Sequence, residues 1–398
     1  MIQMIRSDAE RFAEEIKKLR MAIHRHPELG NHEYCTAALA EKYLNGLGIA
    51  TRRILDTAVV GELKCAAGDP ENGPGRTAAL RADMDALPLT EMTGAEFASE
   101  VRGVMHACGH DVHTAAVLGA ARLLAEHRNE LKGNVIFLLQ PDEEGLGGAD
   151  RMIREGCMDG VDAVFGAHVS PDLPAGHIGI RYDKFYAASD MFRVDVRGIT
   201  SHGAVREKGI DALAAAAEMV TELLALPLRV TQDKCVLTVG RMRSGTAGNI
   251  MPGEAEFEGI VRTLGQENRG RMEEAFRETV RSVADRTGTS AEISYTHSHP
   301  GVVNEKSMTN LAFRAACGIF GEEKVHIIED PVMISEDFGC FLDKAPGSFY
   351  HIGAGCSLPL HNPGFLPEED VVTELAVMHA ASVWYFLTEE GCNRIEYS

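Results

Sequence analysis

Four side chains able to bind a borderline cation stand within eight residues of one another: His106, Cys108, His110 and His113. Thiolate and imidazole both suit zinc, and imidazole helped by carboxylate suits nickel, cobalt or manganese. The spacing lets His106 and His110, or Cys108 and His110, aim two donors at one point. It does not let all four do so at once, so some of them must orient ligands or simply pack. Glu143 and Glu144 come next. Consecutive side chains at a strand end point in different directions, so one carboxylate can hold a metal while its neighbour faces a substrate. A ligand beside a general base is what metal-assisted hydrolysis requires. The Gly145-Leu146-Gly147-Gly148 run behind the pair has neither Walker nor GxGxxG spacing and is not read as a phosphate cradle.

Short apolar runs must position these groups. Thr77–Arg81, Asn134–Gln140, Ala163–Ala167 and Ser348–Ile352 read as buried strands, alternating with helical patterns over 8–25, 36–47 and 113–127. In an open α/β sheet, ligands sit beyond the carboxyl ends of the strands. Beyond these ends come Asp83 and Asp85, then Asp142, Glu143 and Glu144, then His168, and finally His361. From about residue 186 the strands alternate apolar and polar residues, in the order β-α-β-β-α-β. The expectation is an α/β protein. Residues 1–185 and 298–398 would form a domain with a mixed, mainly parallel sheet, and 186–297 an inserted ferredoxin-like domain covered on one face.

The 398 residues carry 59 acidic and 39 basic side chains, a formal charge of -20 that argues against phosphate-backbone contacts and hence against nucleic acid. Nine cysteines, odd in number and widely spaced without a CxxC, suggest neither a disulfide framework nor a zinc knuckle. The opening MIQMIRSDAERFAEE turns acidic before an apolar region forms, so no signal peptide is expected. No stretch reaches the ~18–20 apolar residues of a membrane span, and the default location is a reducing cytoplasm. In the inserted region His202 follows a strand. Ser201, His202 and Asp211 could suggest a serine triad, but no G-x-S-x-G elbow surrounds the serine.

In this order, His24-Arg25-His26-Pro27-Glu28-Leu29-Gly30, Arg81-Ala82-Asp83-Met84-Asp85-Ala86-Leu87-Pro88, Met105-His106-Ala107-Cys108-Gly109-His110-Asp111, Gln140-Pro141-Asp142-Glu143-Glu144-Gly145, Ser335-Glu336-Asp337-Phe338 and Pro359-Leu360-His361-Asn362-Pro363 span nearly the whole chain. The sequence resembles the dinuclear-metal amidohydrolase and peptidase family that includes aminoacylases and carboxypeptidases. It is most similar to the branch of N-acyl-amino-acid, hippurate and auxin-conjugate hydrolases.

The resemblance implies two divalent ions (manganese, nickel, cobalt or zinc) held by Cys108, His110, Glu144, His168 and His361, with Glu143 as general base. Arg81-Ala82-Asp83 replaces the His-x-Asp of other branches, which leaves Asp83 to support a ligand rather than bind. His202 would stabilise the oxyanion, reaching the site by closure of a lid domain or from a partner's lid. Asn249 and Arg262 would hold the substrate carboxylate. The implied reaction is hydrolysis of an N-acyl amino acid, a small-molecule substrate, by a homo-oligomer paired through the lid. Cleavage of a dipeptide or of a C-terminal residue fits the same ligand set, and a catalytically silent metal-binding or interaction protein is the alternative of another kind.

Overall fold

The computed structural model describes residues 2–65, 75–145 and 147–388; Leu146 of the glycine run and Cys392 lie outside them. The chain divides into two compact units. The first is Met1–Asp183, Asn304–Glu329 and Cys340–Ser398, and the second is Lys184–Val303 and Asp330–Gly339. The sequence expectation places 298–303 and 330–339 outside the inserted region, whereas the structure groups them with it. Backbone bonds explain the difference: Phe185 donates to Val302 at 2.8 Å, Val332 to Phe185 at 2.8 Å, and Ala187 to Val332 at 3.1 Å.

The first unit is built on eight strands. Their order is Ala50–Ile54, Ala58–Lys64, Gly133–Gln140, Arg76–Asp83, Ala163–Ser170, Gly347–Gly353, Ile178–Ile180 and Val325–Ile327. The four from Gly133–Gln140 to Gly347–Gly353 run parallel, so their carboxyl ends share one edge. The first two strands join antiparallel, and so does Ile178–Ile180 against Gly347–Gly353. The sheet is thus mixed with a parallel centre. Helices Ile2–Arg25, His110–Glu126, Lys306–Phe320 and Val371–Leu387 pack on one another and share one apolar core with the central strands. Every residue of Ala163–Ser170 and Gly347–Gly353 is buried, the signature of parallel strands covered on both faces.

The second unit has a four-stranded antiparallel sheet, ordered Cys235–Ser244, Glu254–Thr263, Ala188–Arg197, Ser290–His299. Helices Ala212–Leu224 and Gln266–Thr287 join its strands. Met272, Phe276, Val280 and Val283, at three- and four-residue spacing, face a core with Phe192, Val194, Val196 and Phe257. Asp211 caps the first helix by accepting from the Ala214 N–H at 3.1 Å. The alternate strand positions carry charge: Arg193 pairs with Asp195 at 2.8 Å and also with Glu256. Among the described residues no helix is long and apolar enough to cross a membrane, and eight cysteines are free.

Candidate metal centre

Gly109 sets the site's first loop. Its φ is 87°, and a Cβ there would sit 2.4 Å from Val169 Cγ2, so a larger residue would push the loop off strand Ala163–Ser170. The helical pattern places the helix start at His113, but it begins at His110. That puts His110 in the first turn, and the Asp111 carboxylate where a helix N-terminus favours negative charge. Asp111 accepts from Arg20 Nε at 3.1 Å and lies 3.0 Å from His24 Nδ1, all three buried. Burial works against a charge on His24, but Asp111 and Glu91 outweigh it and lift its pKa to about 9.

Five donors from four segments of the chain come together. Cys108 Sγ lies 3.3 Å from His168 Nε2, and His361 Nε2 lies 2.9 Å from Glu144 Oε1. Two sets of donor atoms, Cys108-His110-His168 and Cys108-Glu144-His361, each lie within 4.8 Å of one another and share Cys108; a third joins His110, Glu143 and Glu144. Hydrogen bonds fix which ring nitrogen is free. His168 donates from Nδ1 to the Val169 carbonyl at 2.7 Å, leaving Nε2 facing the thiol. His110 donates from Nδ1 to the Asp85 carbonyl at 2.9 Å, and its buried Nε2 has no hydrogen-bond partner among the described residues. His168 belongs to its strand, which runs to Ser170 rather than stopping at Ala167. His361, at φ 63°, is tied to the loop of Cys108 by its N–H, which donates to the Ala107 carbonyl at 2.8 Å.

The electrostatics suit a cation. Burial pushes the Cys108 thiol well above its ordinary pKa, so a thiolate there requires positive charge at hand. Burial and the nearby His113 keep His168 neutral, with its lone pair available. Burial would raise Glu144, yet His361 and His110 hold it below the usual carboxylate range. A buried imidazole nitrogen without a hydrogen bond, a buried thiol and a carboxylate held ionised are a donor set that fits divalent metal.

Of the four clustered donors, two lie outside the sets that share Cys108, and His113 groups instead with Asp83 and His110. His113 uses both ring nitrogens: Nδ1 donates to Asp83 at 2.7 Å and Nε2 accepts the Val169 N–H at 3.0 Å. His106 is buried and outside every donor set among the described residues, and burial takes its pKa down to about 4. Asp83 also pairs with Arg81 Nη1 at 2.9 Å and stays 3.6 Å from His110 Nε2. The residue that sequence reasoning passed over is Asp85, noted at the strand end but given no role. Its Oδ1 lies 3.2 Å from His110 Nδ1, and its Oδ2 accepts the Glu144 N–H at 3.0 Å. One carboxylate therefore sets two donors. An amide has one acceptor oxygen where the carboxylate serves two N–H groups, so Asp85→Asn is expected to weaken metal binding about 10–100-fold. Chelator competition measures this, and unchanged affinity would remove Asp85 from that role.

The other candidates lie on the second unit. His202, in a two-residue strand paired with Ile250–Met251, is exposed; its Nδ1 accepts the Ala204 N–H at 3.1 Å, so Nε2 carries the proton. Asn249 is exposed beside it, its carbonyl accepting the Gly203 N–H at 2.8 Å. Arg262 is elsewhere: it sits near the far end of strand Glu254–Thr263, ~26 Å from Glu254 at about 3.3 Å per residue. Its buried Nη1 has no hydrogen-bond partner among the described residues. One copy of this unit thus brings His202 and Asn249 together but not Asn249 and Arg262. The triad is absent too, since Ser201 Oγ faces Met251 Sδ at 3.6 Å and Asp211 is engaged as a helix cap.

Residues 79–383 match Peptidase family M20/M25/M40. The chain is 35% identical over 392 residues to thermostable carboxypeptidase 2 of Saccharolobus solfataricus, covering 96% of this chain and 97% of that protein. It is 36% identical over 366 residues to an N-acetylcysteine deacetylase of Bacillus subtilis, covering 91% and 94%. The crystal structure of a dinuclear metal-binding M20 peptidase from Bacillus subtilis superposes with a TM-score of 0.83 at 33% identity, covering 95% of this chain and 99% of that one.

Proposed function

The chain belongs to peptidase family M20/M25/M40, whose members are metal-dependent hydrolases, and from that premise we propose that it cleaves the amide bond of N-acyl amino acids to a carboxylate and a free amino acid. The observation that carries this reading is the pair of donor sets sharing Cys108, with Glu143 adjoining them beside Glu144. We assign Cys108, His110, Glu144, His168 and His361 to two divalent ions drawn from manganese, nickel, cobalt and zinc. When bound, such ions supply Lewis acidity that polarises the carbonyl and eases the deprotonation of water. Glu143 takes the proton of the attacking water and returns it to the leaving amine. His202, protonated on Nε2, is assigned to the developing oxyanion, where one such donor is worth roughly 3 kcal/mol. Asn249 is assigned to the substrate carboxylate; Arg262 is assigned to the same role only if another copy of the chain supplies one of the two.

We read the second unit as a ferredoxin-like lid through which two copies pair. What supports this is its helix and strand order, with Cys235–Ser244 and Ser290–His299 left at the sheet edges. The relative named a carboxypeptidase favours one second reading, removal of a C-terminal residue from a peptide. The test is amine release from N-acyl amino acids and dipeptides by metal-stripped protein reloaded with each of the four metals. Metal-dependent release from N-acyl substrates with slow dipeptide cleavage is expected. Faster dipeptide cleavage would move the assignment to peptidase, and no release with metal bound would sink both.

A further inference from the structure

The segment His24–Gly30 is one of those that carry the resemblance, yet the reaction uses neither it nor Glu33 just beyond it. Its place in the fold gives it work. Glu33 is the residue before helix Tyr34–Gly46, but its side chain makes no cap to that helix. Glu28 caps the helix instead, accepting from the N–H groups of Cys35 and Thr36, each at 2.9 Å. The Glu33 carboxylate, fully buried, turns inward. Its Oε1 accepts the N–H of Asn31 at 3.0 Å and that of Asp142 at 2.9 Å.

Asp142 immediately precedes Glu143 and Glu144, and its φ of 58° lies in the left-handed region, which few side chains occupy and Asp enters more readily than most. Three further contacts hold it. Its carbonyl accepts the Gly147 N–H at 3.1 Å, and its Oδ2 pairs with Arg151 Nη1 at 3.2 Å. Gly30 lies against its side chain so closely that a Cβ there would meet Asp142 Oδ1 at 2.2 Å. The same segment reaches the next loop as well, since the Glu28 carbonyl accepts the Ala86 N–H at 2.8 Å, one residue past Asp85.

We infer that Glu33 is a positioning residue for hydrolysis: its buried carboxylate fixes the left-handed turn at Asp142, and so the placement of Glu143 and Glu144. The inference rests on the proposed function for its kinetic readout but not for its spectroscopic one. Glu33→Ala removes the acceptor and frees the turn. Glu33→Gln keeps an oxygen able to accept both N–H groups. Gly30→Ala disturbs the same turn from its other side without touching the carboxylate.

The experiment compares these variants with Leu44→Ala, which hollows the core under the same helix and touches neither turn nor donors. Each protein is loaded with cobalt. Visible absorption, kcat, KM and melting temperature are then measured. Glu33→Ala and Gly30→Ala should change the cobalt spectrum and lower kcat about 10–100-fold at nearly constant KM. Glu33→Gln should restore most of both, and Leu44→Ala should lose melting temperature with spectrum and kcat intact. A wild-type spectrum and kcat in Glu33→Ala would overturn the inference, as would an equal kcat loss in Leu44→Ala. If the parent protein releases no amine from any substrate, the amidohydrolase reading falls, and the cobalt spectra still decide on Glu33.

Discussion

Glu143→Gln is expected to lower kcat by about 10²–10⁴ while leaving metal content and KM close to those of the parent protein. The amide keeps the shape and the polarity of the side chain and cannot accept the proton of the attacking water. At about 1.36 kcal/mol per tenfold, the loss corresponds to roughly 3–5 kcal/mol of transition-state stabilisation. Glu143 lies within 4.8 Å of donor atoms of His110 and Glu144, so a role as ligand is the competing account. Metal analysis by plasma mass spectrometry separates the two. Loss of activity with a full complement of metal identifies a base, and loss of metal identifies a ligand. Full activity would dismiss both.

The second large effect concerns Cys108. Because both donor sets share its sulfur, Cys108→Ala should reduce the binding of both ions, not one, and abolish measurable turnover. Its effect on the metal-free fold should be small. A buried thiol whose pKa is pushed up is neutral, so alanine removes little beyond one sulfur atom. Saturating metal at about 100 times Kd stabilises a folded protein by ~2.7 kcal/mol per site. Melting curves with and without metal should therefore coincide for Cys108→Ala and differ for the parent protein. A metal-induced rise that survives the substitution would show that the sulfur does not hold the ions.

Much of the site could be read from residue types in order. The buried strands advertise themselves because both faces are covered and their runs are continuously apolar, as in Ala163–Ser170. The inserted unit's strands were legible for the opposite reason, since one face is charged and the period of two survives. Strand Ala50–Ile54 escaped detection because none of its residues is buried and no apolar run or alternation marks it. Helix Val371–Leu387 escaped because it is buried on nearly every side, which erases the period of 3.6. The helix begins at His110, three residues before its helical pattern does, since Gly109 gives a start signal only through its positive φ.

By itself the sequence determined the chemistry available: a thiol, imidazoles and paired glutamates, spaced so that parallel strands deliver them to one edge. Tertiary structure decided which of these keep a donor atom without a hydrogen bond. His113 and His110 look alike in the chain, but Asp83 and the Val169 N–H consume both nitrogens of one, while Asp85 occupies only one side of the other. Those partners lie 25 to 56 residues away in sequence. A metal-binding imidazole almost always has its other nitrogen engaged in a hydrogen bond, and local sequence does not contain that condition. Asn249 and Arg262 make the same point, since Asn249 precedes the ten-residue strand Glu254–Thr263 and Arg262 sits near its far end.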